Sequence, residues 1–446
     1  MAVSSESSAS FPRVPSSPSP SVRRASPSPA PHAAPLPAFP SASPDPDTPG
    51  RGSSARPRVP PQAARPAAPP WPDPAHPARP RLTELRLSAF AGHRGTRVPL
   101  GASTLLAGPS GSGKTTALRA YEALARLGGG MELGEVFPDP VSLVPDRARP
   151  DAQRRRGFRI GCAADGPVGP VRLDIAVQAE PELRIVGERL TAGDVVLFQT
   201  ALRDPGRRTV QAAWHTAGSS PVTRAPLPDD LLGTALLPLR VAGKTDGQRH
   251  VLAAAEQMVV ALRSVFSCDP GPDRMRAPVP TGSGRLLGGC DNLADVLWRT
   301  RTECARRHAQ LVDAARAGCT GPVMDLRSEL QRDGTVRGVL DRGHGTVTEL
   351  ARLGDGELRY LALALVLLTG AGVLEVDPVG EVPGALQTLT VLADGFDRSL
   401  DVRQRAELAR LAVRMGEYGH IRCVGTVSDA SWADGVEGVA VVHLEP

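Results

Sequence analysis

The sequence predicts an α/β fold, and three stretches predict it. Ser103-Thr-Leu-Leu-Ala107 reads as a short buried strand, a glycine-rich loop follows, and Thr115–Leu127 carries apolar residues at helical spacing. Residues 158–215 alternate apolar and polar side chains between Gly, Asp and Pro turns, as half-buried strands do. Leu389–Ala393 is another short apolar run, and it ends in the carboxylate of Asp394. Strand, turn and helix patterns interleaved in this way fit sheets layered with helices.

The loop itself carries the chemistry. Gly108-Pro109-Ser110-Gly111-Ser112-Gly113-Lys114-Thr115 fits the phosphate-binding pattern G-x-x-x-x-G-K-[ST] without a gap, and Thr116 continues it into the helix. Glycines let the backbone turn its N–H groups inward on a phosphate, and the helix N-terminus adds the positive end of its dipole. Lys114 is placed to reach the β- and γ-phosphates, and the Thr115 hydroxyl to ligate Mg2+. Of 52 basic residues only Lys114 and Lys244 are lysine. The chain therefore writes lysine where the motif needs a compact ammonium. Lys244 also stands in a Gly-Lys-Thr, but Pro238 occupies the place of the first motif glycine, so that stretch forms no such loop.

Composition narrows the function classes. At 446 residues, 41% hydrophobic and 22% charged, the chain can bury one or two sizeable cores. Aromatics are only 3%, which argues against stacking platforms for bases. The six cysteines (162, 268, 290, 304, 319 and 423) are scattered without C-x-x-C, which fits a reducing cytoplasm rather than zinc or disulfides. Residues 1–80, dense in Pro, Ser, Ala and Arg, hold about +4 of the net +5. They form an expected disordered tail and lack the apolar h-region of a secretory signal. Residues 81–446 are left near neutrality, which does not support a strongly basic nucleic-acid face.

Taken in order, Leu82–Phe90 alternates as a strand with Arg97–Leu100 as its partner, and the phosphate loop comes next. Five strands are expected at Phe158–Ala164, Val171–Gln178, Leu183–Leu190, Val195–Ala201 and Val210–His215. Gln248–Phe266 and Asn292–Ala315 read as amphipathic helices, and no heptad run crosses 216–345. Tyr360–Leu374 is apolar but too short for a bilayer span of roughly 20 residues. A final strand is expected at Val439–Leu444.

The opening strand "L-x-x-L-x-L-x-x-F" followed by the phosphate loop resembles the RecF and SMC-head branch of the ABC-type P-loop ATPases. The resemblance covers roughly residues 81–446. It implies an ATPase head: phosphate loop and antiparallel β lobe over 81–215, a helical insertion over 216–350, and signature, Walker B and switch over 351–446. It makes Gln153 a candidate glutamine-loop residue, although Arg154-Arg-Arg156 beside it reads as a solvated turn. Leu353-Gly354-Asp355-Gly356-Glu357 resembles the signature loop, with Gly354 at the serine position. Asp394 falls at the Walker B aspartate that holds magnesium, and Leu400-Asp401 falls in register as the D-loop. Gly395 replaces the water-polarising glutamate, with Asp397 nearby as a substitute base and Glu375 as another. Ser428 stands at the switch histidine.

The groups implied to hold ATP and Mg2+ are thus present, while three groups tied to turnover are altered. Losing a water-activating base removes on the order of 10²–10⁴-fold in rate. The resemblance therefore implies an ATP-binding, nucleotide-gated homodimeric switch with weak hydrolysis and room for a protein partner. An active ATPase using a substitute base and a RecF-like DNA-repair or DNA-defence ATPase are the alternatives. No motif reads the base, so ATP and GTP are not distinguished.

Overall fold

Residues 79–216, 222–282, 284–376 and 387–445 are described by a computed structural model. The expected tail, up to residue 78, lies outside them. Strands β1 (Arg81–Phe90) and β2 (His93–Pro99) form a hairpin, with Leu82, Leu85, Leu87 and Phe90 buried. Strand β3 (Ser103–Ala107) is buried at all five positions, as a strand covered on both faces must be. It runs through the glycine loop into α1 (Lys114–Gly128), whose buried stripe includes Ala117, Ala120, Tyr121, Leu124 and Leu127.

After the short α2 (Leu133–Val136) the chain weaves a meander: β4 (Arg156–Asp165), β5 (Val171–Glu180), β6 (Arg184–Ala192), β7 (Val195–Ala201), β8 (Thr209–His215) and β9 (Val222–Pro228). With the hairpin they make an eight-stranded antiparallel sheet in the order β2-β1-β4-β5-β6-β7-β8-β9. Gly/Asp turns and alternation made β4 to β8 readable in advance, whereas β9 was not expected. Helices α3 (Gly233–Arg240) and α4 (Asp246–Arg263) follow, and α4 packs against the sheet. The second Gly-Lys-Thr now has a local role: the Thr245 hydroxyl caps α4 by accepting from the Gln248 N–H, and Lys244 is exposed.

The interval expected to be a helical insertion is mixed. Strand β10 (Val265–Cys268) joins the central sheet, so the expected helix end at Phe266 is already strand. Beyond α5 (Pro272–Met275), β11 (Val279–Pro280) lies beside α6 (Leu293–Glu303), which packs on α7 (Ala305–Gly318). The expected single helix over Asn292–Ala315 is broken at Cys304, whose extended backbone (φ −149°, ψ 89°) no glycine or proline announces. Strands β12 (Asp325–Leu330), β13 (Thr335–Gly343) and β14 (Thr346–Glu349) complete a four-stranded sheet with β11. Their inward residues are few, and charged side chains crowd the alternation that reveals strands.

Helix α8 (Asp355–Leu368), β15 (Leu389–Ala393), α9 (Val402–Glu417), β16 (Ile421–Val427) and β17 (Val439–His443) close the fold. The central sheet is parallel throughout, in the order β10-β15-β16-β3-β17. Alternate residues of its strands serve different cores. Leu106, Leu392 and Val424 join a cluster with α1, α4 and the antiparallel sheet. Leu105, Val391 and Cys423 join a second cluster with α6–α9. Among the described residues no helix is long and apolar enough to cross a membrane.

Candidate nucleotide-binding site

The glycine loop leaves β3 at Ala107 and enters α1 at Lys114. Gly113 has φ +85°, and a Cβ there would stand 2.5 Å from His93 Nε2. That imidazole, 6% exposed, lies directly behind the loop, with Nε2 3.0 Å from the Gly113 carbonyl and Nδ1 3.2 Å from the Thr96 hydroxyl. A carbonyl can only accept, so Nε2 carries the proton and Thr96 donates to Nδ1. The Lys114 ammonium folds back over the loop and donates to the Gly108 and Pro109 carbonyls at 2.7 and 2.8 Å. Among the described residues the buried Ser112 hydroxyl has no hydrogen-bond partner.

Next to Lys114, the Thr115 hydroxyl donates to both carboxylate oxygens of Asp394, at 3.1 and 3.0 Å. Asp394 follows the last residue of β15, and β16 separates β15 from β3. That middle strand contributes Thr426, whose hydroxyl donates to Asp394 Oδ1 at 2.6 Å and accepts from the Gly395 N–H at 2.7 Å. A carboxylate and a threonine hydroxyl beside the glycine loop are hard oxygen donors, which suit Mg2+. Among the described residues no group of three or more His, Cys, Asp or Glu could hold a metal alone. A cation between Thr115 and Asp394 would therefore complete its shell with water and phosphate oxygen, as Mg2+ commonly does.

Behind Asp394 lies a guanidinium. Arg359 of α8 is 2% exposed; it donates to Asp269 Oδ1 at 2.9 Å, to the Pro270 carbonyl, and to the Asp394 and Gly395 carbonyls at 3.4 and 2.9 Å. Asp269, just past β10, also accepts from Arg398 at 3.1 and 3.2 Å.

The signature-like residues sit where α8 begins. Gly354 is its N-cap, and Glu357 accepts from the Gly354 N–H at 3.4 Å and the Thr320 N–H at 2.6 Å. Arg276 holds the Leu353 carbonyl at 3.0 Å and the exposed Asp355 carboxylate at 2.5 Å. Gly356 presses on the turn before α9, since a Cβ there would meet the Ser399 carbonyl at 2.3 Å. Asp401 caps α9 through the Gln404 N–H at 2.7 Å, and Leu400 is buried. Asp397, 7% exposed, accepts the Ser428 N–H at 3.0 Å, while the Ser428 side chain is exposed.

Two other expected residues lie elsewhere. Glu375 lines a groove with Glu122 and Arg126 of the C-terminal half of α1 and with its C-cap Gly129, so it belongs to the opposite end of that helix from the loop. It is removed as a candidate base. Gln153 is exposed in a turn organised by Asp151, which accepts the N–H groups of Gln153 and Arg155. Conversely, His93, Thr426, Asp269 and Arg359 had no assigned role. Arg359 did carry a signal, being the sole charge in the apolar stretch Leu358–Leu368.

No family model and no curated relative matches the chain. Solved structures of similar layout include an SMC head bound to the C-terminal winged-helix domain of ScpA, at 13% identity and TM-score 0.42, covering 79% of this chain and 92% of that one. An SMC head domain from Thermotoga maritima gives 12% identity and TM-score 0.39, with 81% and 94% covered. The Smc head with an extended coiled coil bound to the C-terminal domain of ScpA, from Pyrococcus furiosus, gives 9% and 0.43, with 82% and 94% covered. These values are too low to carry any residue's role to this chain, whose site stands on its own geometry.

Proposed function

We propose that the chain binds Mg-ATP at Gly108–Thr116 and acts as a nucleotide-gated, dimerising switch with weak hydrolysis. The observation that carries the reading is the convergence of Lys114, Thr115, Asp394 and Thr426 on one edge of the parallel sheet. On binding, Lys114 exchanges the Gly108 and Pro109 carbonyls for phosphate oxygens, and the loop N–H groups and the α1 dipole hold the anion. Thr115 and Asp394 hold Mg2+, which neutralises phosphate charge when bound. Thr426 restrains the Asp394 carboxylate from the middle strand. Weak hydrolysis follows from Gly395 and Ser428, which supply neither a carboxylate nor an imidazole to an attacking water.

A second reading, an active ATPase with Asp397 as base, draws support from the place of that carboxylate between the end of β15 and Ser428. ATP affinity and magnesium-dependent turnover of the full chain at several protein concentrations test both. Tight binding with turnover near background supports the switch. Turnover that rises with concentration supports a composite dimeric ATPase. Absence of nucleotide binding overturns both.

A further inference from the structure

The metal-side carboxylate of Asp394 and the N-terminus of α8 are parts of different motifs, yet one side chain joins them. Arg359 lies on the second turn of α8, four residues beyond Leu353-Gly354-Asp355. Its guanidinium is inside the protein, and its donors fan out to Asp269, to the Pro270 carbonyl and to the two successive carbonyls just past β15. Those carbonyls belong to Asp394 itself and to Gly395. The first is attached directly to the Cα that bears the carboxylate side chain, and the second is one residue further on. The carboxylate itself is held by Thr115 and Thr426.

A planar fork suits such a junction better than an ammonium, because its donors are fixed in one plane and can serve several acceptors at once. A buried guanidinium also resists displacement: leaving these carbonyls unpaired costs their full desolvation. Among the described residues its Nε has no hydrogen-bond partner, and the two terminal nitrogens alone serve Asp269 and the three carbonyls. Asp269 neutralises the charge from the solvent side and is shared with Arg398 of the turn that follows Gly395. The end of β10, the end of β15 and the first turns of α8 are thereby gathered on one cation.

We propose that Arg359 is a positioning residue for the metal-binding carboxylate of Asp394, and that through it the placement of the α8 N-terminus regulates magnesium affinity at the nucleotide site. The inference rests on the Mg-ATP reading. Groups that orient a metal ligand from behind are worth about 10–100-fold in metal affinity. Arg359 acts from that position, on the ligand's own backbone.

The test is a magnesium titration of ATP binding by the full chain, followed by fluorescence of a labelled ATP analogue, with a parallel titration in EDTA. Arg359→Met, Arg359→Lys and Asp269→Asn are compared with the unaltered chain. Arg359→Met is expected to raise the half-saturating Mg2+ concentration at least about 10-fold while shifting metal-free nucleotide affinity less than about 2-fold. Arg359→Lys should recover part of the shift. Asp269→Asn, which leaves the carbonyl contacts in place, should give a smaller shift in the same direction and keeps the test alive should Arg359→Met fail to fold. Equal loss of metal-free and metal-dependent affinity would mean that Arg359 only supports the fold, and an unchanged magnesium midpoint in all three variants would overturn the proposal. No nucleotide binding by the unaltered chain would instead overturn the Mg-ATP reading.

Discussion

Thr115 and Asp394, 279 residues apart in sequence, meet through hydroxyl–carboxylate hydrogen bonds of 3.0 and 3.1 Å. The parallel sheet makes this possible: β3 and β15 both point their C-terminal ends at one edge, with β16 between them. Loops after the carboxyl ends of parallel strands form the ligand crevice of open α/β sheets.

Substitution at this edge should separate nucleotide from metal. Lys114→Ala removes charge-assisted bonds worth about 1.5–3 kcal/mol each and should weaken ATP binding at least about 10–100-fold with or without Mg2+. Thr115→Ala should weaken binding chiefly when Mg2+ is present. Calorimetric titration with ATP in magnesium and in EDTA distinguishes the two. Undiminished affinity in Lys114→Ala would remove the loop from the site.

Restoring a glutamate at position 395 is expected to fail as a gain of function. Gly395 has φ +61°, its N–H is bonded to Thr426 and its carbonyl to Arg359. A left-handed backbone costs a side-chain-bearing residue roughly 1–2 kcal/mol. A Cβ there would also stand 2.8 Å from the Arg398 guanidinium, which would pair with the new carboxylate. Gly395→Glu should therefore lower stability by about 1–2 kcal/mol in urea unfolding and leave turnover unchanged. A clear rise in turnover would show that the missing carboxylate alone limits hydrolysis.

Much of this edge was legible because its motifs are local. The glycine loop is one contiguous stretch of sequence, and Ser103–Ala107 and Leu389–Ala393 are unbroken buried runs, so both strands are found at their expected bounds. The antiparallel meander was legible through its alternation. What stayed hidden depends on tertiary meetings: His93 behind Gly113, Thr426 on Asp394, and Arg359 on the end of β15. A histidine or arginine within a strand or helix carries no mark of the partner it will reach. The strands of 279–349 were missed for a related reason, since Asp325–Leu330 buries only alternate residues among charged neighbours.

Glu188 gives the β lobe a pH dependence. Its buried carboxylate accepts from the Gly233 and Thr234 N–H groups at 2.7 Å and from the Thr234 hydroxyl. Burial outweighs those bonds and raises its pKa from the ordinary 4.5 to about 7. The native carboxyl thus keeps its proton to higher pH than the unfolded one. Its contribution is complete below about pH 4.5 and is lost as pH rises through about 7, to a total on the order of 3 kcal/mol. Urea unfolding at pH 5 and pH 8 should show this decline, and Glu188→Gln should flatten it. An equal slope in that variant would assign the dependence to other groups.

Arg422 of β16 ties the opening hairpin to the central sheet. It is 7% exposed and donates to the carbonyls of Leu82, Leu100 and Gly101, while burial lowers its pKa below the usual guanidinium range. Arg422→Met would leave three carbonyls without their donor and should cost about 3 kcal/mol or more in urea unfolding. The same hairpin carries His93 against the Gly113 carbonyl, so a shift of β1 and β2 displaces the support of the phosphate loop. ATP affinity of Arg422→Met should therefore fall even at temperatures where the variant remains folded, and His93→Ala should reproduce the loss of affinity with less loss of stability. Retained affinity in both variants would mean that the loop holds its shape without the hairpin.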